Sequence, residues 1–132
     1  MRNKFHNKIR PYCLSIAGFD PSGGAGISAD LRVFAALGAV SMGAVTAITP
    51  QNSGGVKAVE AVAASVLRKQ LDAVFEDVLP AAAKTGQIPG VESAKEIVRI
   101  FRRHSVPLLV DPVAIPTRGR RLASEECALY IK

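Results

Sequence analysis

What most constrains this chain is an alternation. Continuous apolar runs change places with stretches whose apolar residues recur at helical spacing, and most runs close on glycine or polar residues. "YCLSIAG" (12–18) ends at glycine, as a strand buried on both faces would. Between 25 and 37, Ile27, Leu31, Phe34 and Leu37 mark one helical stripe, and Gly38 supplies a stop. "VSMGAVTAI" (40–48) is a second strand, closed by "TPQNSGG", a loop by composition. Leu67, Leu71, Val74, Phe75 and Val78 place a second helix over 62–78. "AAAKTG", after Pro80, is a short third strand. "VESAKEIVRIFRRH" carries Val91, Ala94, Ile97, Val98 and Phe101 on one face. Its Ser93 and Glu96 match a capping box, and its basic last turn suits the helix dipole. "VPLLVDPVAI" is a fourth strand, and "ASEECALYIK" begins another helix. The order predicts an α/β fold, a parallel sheet flanked by helices.

Such sheets bind ligands at the carboxyl ends of their strands. The polar and glycine-rich stretches 18–26, 49–55, 84–90 and 111–119 all fall there, so four separate segments converge on one edge.

The 132 residues suffice for one domain with its own core. No apolar run approaches the roughly 18–20 residues that cross a bilayer. "MRNKFHNKIR" is basic like the start of an export signal, but only "YCLSIAG" follows before Asp20 and Pro21, which is too short. A cytoplasmic protein with a poorly ordered basic tail over 1–11 is expected. Cys13 and Cys127 have no metal-ligand spacing, and each fits a small buried hydrophobe. The net charge is +6, yet tryptophan is absent and aromatic residues make up 5%. That composition lacks the basic, aromatic-interleaved platform single strands need, so neither nucleic acid nor membrane is the expected partner.

"GFDPSGGAGI" (18–27) joins the first strand to the first helix. Gly24, Gly26 and Ala29 satisfy a loose dinucleotide fingerprint. That fingerprint also needs an acid about 20 residues on, at the end of the second strand. No Asp or Glu stands between Asp30 and Glu60, and no Gly-Lys-Ser/Thr occurs anywhere, so both nucleotide motifs fail. What remains is a turn whose amides face a polar ligand, or one built for tight strand–helix packing. Asp30, in the helix's first turn, suits either the dipole or a ligand. Gln51 and Asn52 each offer a donor and an acceptor, which suits a heterocycle edge as well as an ordinary loop. Lys84 at a strand end could meet a phosphate or merely solvent. Asp111 could join a Mg²⁺ shell or simply end its strand.

As an ordered set, "LSIAGFDPSGGAGISADLRVFAALGA", "TAITPQNSGGV", "LDAVFEDV", "AKTG" and "VDPV" resemble the hydroxymethylpyrimidine/phosphomethylpyrimidine kinases of thiamine biosynthesis, within the ribokinase-like superfamily. The likeness covers about residues 12–122, and Asp20 to Leu31 is its most specific part. It implies that 12–132 are the N-terminal part of a ribokinase-like domain. The implied activity is ATP- and Mg²⁺-dependent phosphorylation of 4-amino-5-hydroxymethyl-2-methylpyrimidine and then of its monophosphate. It further implies that Gly18 and Asp30 line the pyrimidine pocket, Gln51 bonds the aminopyrimidine edge, and Val113 is an apolar wall. Lys84 would lie near the phosphate path and Asp111 near the magnesium.

The chain departs from the family pattern at several positions. Phe19 stands where Ser or Thr is usual, Gln87 replaces a methionine that the resemblance implies packs on the pyrimidine, and Ala114, Pro116 and Arg118 are unfamiliar. Family members run to about twice this length, and the remainder carries most of the ATP site, the anion hole and the catalytic base. No candidate for these follows Arg121, so no catalytic residue is expected within the chain. Losing a positioned base and oxyanion-type donors costs several orders of magnitude in rate. Residues 1–132 alone should therefore not turn over, and an exposed sheet edge would seek a second copy or a complementing chain. A non-catalytic pyrimidine-binding module and a pyridoxal-type kinase fragment are the competing readings.

Overall fold

Leu14, Ser15, Ile16 and Ala17 are wholly shielded from solvent in β1 (Tyr12–Phe19), the middle strand of the main sheet. The computed structural model describes residues 10–116 and 118–130. Strand β1 pairs in parallel with β2 (Val40–Ile48) on one side and β6 (Ala82–Thr85) on the other. Helices cover both faces, which is why β1 is one unbroken apolar run rather than an alternating one.

Helix α1 (Gly26–Ala36) packs on one face, where Gly43 makes room for Ile27: a Cβ at 43 would lie 2.5 Å from Ile27 Cδ1. Helices α2 (Ala64–Asp77) and α3 (Val91–Arg103) enclose the other face. Leu14, Ile16, Ala44, Leu67, Leu71 and Ile97 meet there in one core cluster. Phe75 meets Phe101 edge-on at 5.6 Å between centroids, tying α2 to α3.

Past β2 the chain makes a small hairpin, β3 (Gln51–Asn52) with β4 (Gly55–Val56), where composition alone indicated loop. It then returns as β5 (Glu60–Ala61), antiparallel to β2. The sheet order is β5-β2-β1-β6-β7, so four parallel strands carry one short antiparallel edge. Strand β7 is only Leu108–Val110, because Pro107 and Pro112 flank it and cannot donate ladder hydrogen bonds. Leu109 is 65% exposed on this outer edge. Helix α4 (Glu125–Tyr130) closes the described chain.

Two local expectations need correction. Ser93 does not cap α3: its N-cap is Gly90, Ser93 is buried in the helix, and Glu96 accepts from Arg99 at 2.7 Å. Cys127 is buried as expected, and burial followed by the charge of Glu126 pushes its thiol pKa up, but Cys13 is only half-buried. The basic tail lies outside the described residues except at its end. There Arg10 donates to the carbonyls of Gly38 and Ala39 at 3.0 and 2.9 Å.

Candidate functional site

At the end of β1 the chain must leave the sheet and enter α1 within six residues, Asp20 to Ala25. Asp20 organises that passage. Its buried carboxylate accepts from the amide and hydroxyl of Ser22 at 2.8 and 2.7 Å and from the Ala25 amide at 2.9 Å. Its carbonyl accepts from the Gly23 amide at 3.0 Å and the Ser28 hydroxyl at 3.2 Å. Burial alone would raise the Asp20 pKa. Hydrogen bonds from the side chains of Ser22 and Gln51 and from the two amides outweigh it and hold the carboxyl below its ordinary range.

Of the two readings of this glycine turn, the one whose amides face a polar ligand is therefore largely pre-empted from within. The Ser22, Gly23 and Ala25 amides all point at Asp20, not at a ligand. Gly26 is needed for a steric reason as well: its φ is +58°, and a Cβ there would lie 2.2 Å from the Gly18 carbonyl oxygen.

Asp30 is the fifth residue of α1, past the first turn, so the helix dipole is not what engages it. Its Oδ2 accepts from Ser15 Oγ at 2.6 Å and from Lys84 Nζ at 3.2 Å. Lys84 projects from β6, and its Nζ also stands 3.6 Å from Asp111 Oδ2, just beyond β7. Lys84 and Asp30 are mostly shielded, and Asp111 is about half exposed. An ammonium has three N–H donors, so two carboxylate contacts leave one for an incoming oxyanion. The Asp111 amide donates to Thr85 Oγ1 at 3.3 Å, anchoring this carboxylate's backbone to β6.

Gly18, Gln51, Lys84, Asp111 and Val113 line one cavity of about 240 Å³ at the carboxyl ends of the parallel strands. Among the described residues, Asp30 is not on its wall and meets it through Lys84. Asp20, Thr49, Gln87 and Leu122 also line the cavity. The resemblance puts Gln87 at the position of a methionine that packs on the pyrimidine, whereas Asp20, Thr49 and Leu122 carried no assigned site role. Asp20 had a signal in the Asp-Pro-Ser-Gly-Gly turn, whereas Thr49 and Leu122 had none.

A β-bulge in the β1–β2 register, where Ala17 faces Val45 but Gly18 faces Ala47, leaves Thr46 as the extra residue. Its buried hydroxyl donates to the Gln87 carbonyl at 2.6 Å, fixing the chain past β6 against the cavity. A wider groove of about 520 Å³ adjoins the cavity through Gln51 and Val113 and extends to Pro116 and Arg118. Ala114 packs against the core instead, and Phe19 is partly exposed at the strand end.

Among the described residues, no group of three or more His, Cys, Asp or Glu side chains is disposed to hold a metal ion. None of their helices is long and apolar enough to cross a membrane.

Residues 20–132 match the family model described as phosphomethylpyrimidine kinase. A hydroxymethylpyrimidine/phosphomethylpyrimidine kinase of Rhizobium meliloti is 47% identical over 109 residues, 83% of this chain and 41% of that protein. The Bacillus subtilis protein of the same name is 40% identical, over 90% of this chain and 44% of its own length. Among solved structures, phosphomethylpyrimidine kinase from Clostridium difficile superposes with a TM-score of 0.82 at 44% identity, covering 91% of this chain and 52% of that one. A pyridoxal kinase from Staphylococcus aureus in complex with pyridoxal gives 0.71 at 33% identity, covering 79% and 40%. The chain thus spans less than half the length of these curated relatives.

Proposed function

Because the chain belongs to the phosphomethylpyrimidine kinase family, we propose that it forms the acceptor-alcohol half of an ATP-dependent kinase of thiamine biosynthesis. Its fold is a partial ribokinase-like one. The substrate in this reading is 4-amino-5-hydroxymethyl-2-methylpyrimidine, followed by its monophosphate. Residues 12–132 are the N-terminal part of the kinase domain.

One observation carries the reading: Lys84 is held between Asp30 and Asp111 at the rim of a 240 Å³ cavity. That volume is in scale with one heteroaromatic ring rather than a nucleotide. In this reading Gly18 and Val113 are walls against the ring. Gln51, which donates to Asp20, keeps a second N–H and its carbonyl for the ring's polar edge. Lys84 offers its remaining N–H to phosphoryl oxygens, and Asp30 aims it. Magnesium commonly takes one or two carboxylates and fills its shell with phosphate oxygens and water, and Asp111 fits that donor set. There the ion would neutralise phosphate charge. The partner is a small-molecule alcohol rather than nucleic acid or membrane, and the compartment is the cytoplasm.

Calorimetry on residues 1–132 with the pyrimidine alcohol tests the binding half. Heat saturating at micromolar to millimolar ligand is expected, and none at millimolar ligand sinks it. An ATP-coupled assay tests the catalytic half. No turnover is expected from 1–132 alone, since none of the assigned residues serves as the catalytic base. A pyridoxal-type alcohol is the second reading, favoured by the structural likeness to pyridoxal kinase, and belongs in the same titrations.

A further inference from the structure

Gln87 follows β6 and is 6% exposed, yet its side chain is not part of the core. Its Nε2 donates to the Leu122 carbonyl at 2.9 Å. A carbonyl can only accept, so this bond decides which way the amide lies: nitrogen to Leu122, oxygen to the opposite side. Oε1 then lies against Gly18, where a Cβ would come within 2.0 Å of it. Among the described residues no donor reaches Oε1. No fully buried side-chain polar atom is left unpaired either, so Oε1 opens on the cavity that Gln87, Gly18 and Leu122 share. Its backbone is held as firmly, by Thr46 Oγ1 at 2.6 Å. The result is a pre-oriented acceptor with no partner among the described residues.

We propose that Gln87 is a specificity-determining residue whose Oε1 accepts a hydrogen bond from an N–H or O–H donor on the ring of the acceptor alcohol. This rests on the small-ring-alcohol reading of the cavity. The reacting hydroxyl must face Lys84 and Asp111, so the donor available to Gln87 is a second one on the ring. In the aminopyrimidine that donor is the exocyclic amino group, because its ring nitrogens only accept. In pyridoxal it is the protonated ring nitrogen, or the phenolic hydroxyl in the neutral tautomer. A ring of the same shape with no second donor leaves Oε1 desolvated and unpaired, which is costly. Such a site rejects the analogue more strongly than an apolar wall would.

The test titrates residues 1–132 and the near-isosteric Gln87→Met variant by calorimetry. The ligands are the aminopyrimidine alcohol, its analogue with methyl in place of the amino group, and pyridoxal. Wild type should bind the amino compound about tenfold more tightly than the methyl analogue, and the variant should lose that preference. Damage to the Leu122 loop would weaken all ligands together, so a uniform loss overturns the proposal, as does an unchanged preference. A wild-type readout guards against a misfolded variant: the Gln87 Cδ carbon signal should shift with the amino ligand and not with the methyl one. Failure to shift with any bound ligand also overturns it. Gln87-dependent binding of pyridoxal alone would overturn the pyrimidine reading and keep this one. Binding of none of the three overturns both.

Discussion

Lys84 Nζ on β6 lies 3.2 Å from Asp30 Oδ2 on α1, a pair closed across 54 positions of sequence. Both side chains are mostly shielded, so removing one leaves the other poorly solvated. Lys84→Met should cost about 1–3 kcal/mol, and Asp30→Asn a similar amount. The double variant should cost less than the sum by about 1 kcal/mol or more. Urea unfolding of the four proteins measures this. Strict additivity would mean that the pair contributes nothing as a pair.

Asp20 should govern part of the acid stability. Its carboxyl is held below its ordinary pKa in the folded chain, so near that range the unfolded chain binds more protons. Its contribution is complete above the unfolded value, near about 4. It fades as pH falls below that value and is gone once the pH passes the folded pKa. Asp20→Asn should therefore lower stability at pH 7 by about 1–3 kcal/mol and flatten its decline between pH 5 and 3. Parallel pH profiles for the two proteins would refute the assignment.

Gly26→Ala should destabilise by roughly 2–4 kcal/mol, combining a left-handed φ with a clash against the Gly18 carbonyl. Gly90→Ala makes a fair control, because its backbone is extended and a Cβ there meets nothing within 4 Å. A loss below 1 kcal/mol at Gly26 would mean that the turn relaxes more easily than its packing implies.

The β7 edge should drive association. Leu109 and Val110 are 65% and 46% exposed beside ladder groups with no further strand among the described residues. Sedimentation should show concentration-dependent self-association of residues 1–132, reduced by Leu109→Lys with less than about 0.5 kcal/mol change in stability. Unchanged association would shift attention to another face.

The strands and helices were legible because their signal is local. Burial on both faces makes β1 an unbroken apolar run, and one-sided burial stamps a 3.6-residue stripe on α2 and α3. The convergence of Gly18, Gln51, Lys84, Asp111 and Val113 followed from topology, since parallel strands put all their carboxyl ends on one edge. The two-residue strands β3, β4 and β5 were not legible. Pairings that short leave no period to read, and their partners alone define them.

Tertiary structure decided how polar groups are used. Asp20 turns the glycine stretch inward, its own carboxylate taking the amides that a ligand would otherwise meet. Asp30 is withdrawn from the cavity wall to hold Lys84. The Leu122 carbonyl, 35 residues away, turns the Gln87 oxygen toward the cavity. Apolar burial follows local pattern, because the hydrophobic effect is non-directional. A hydrogen bond is directional and needs one partner at one place, and only the folded chain determines which partner arrives.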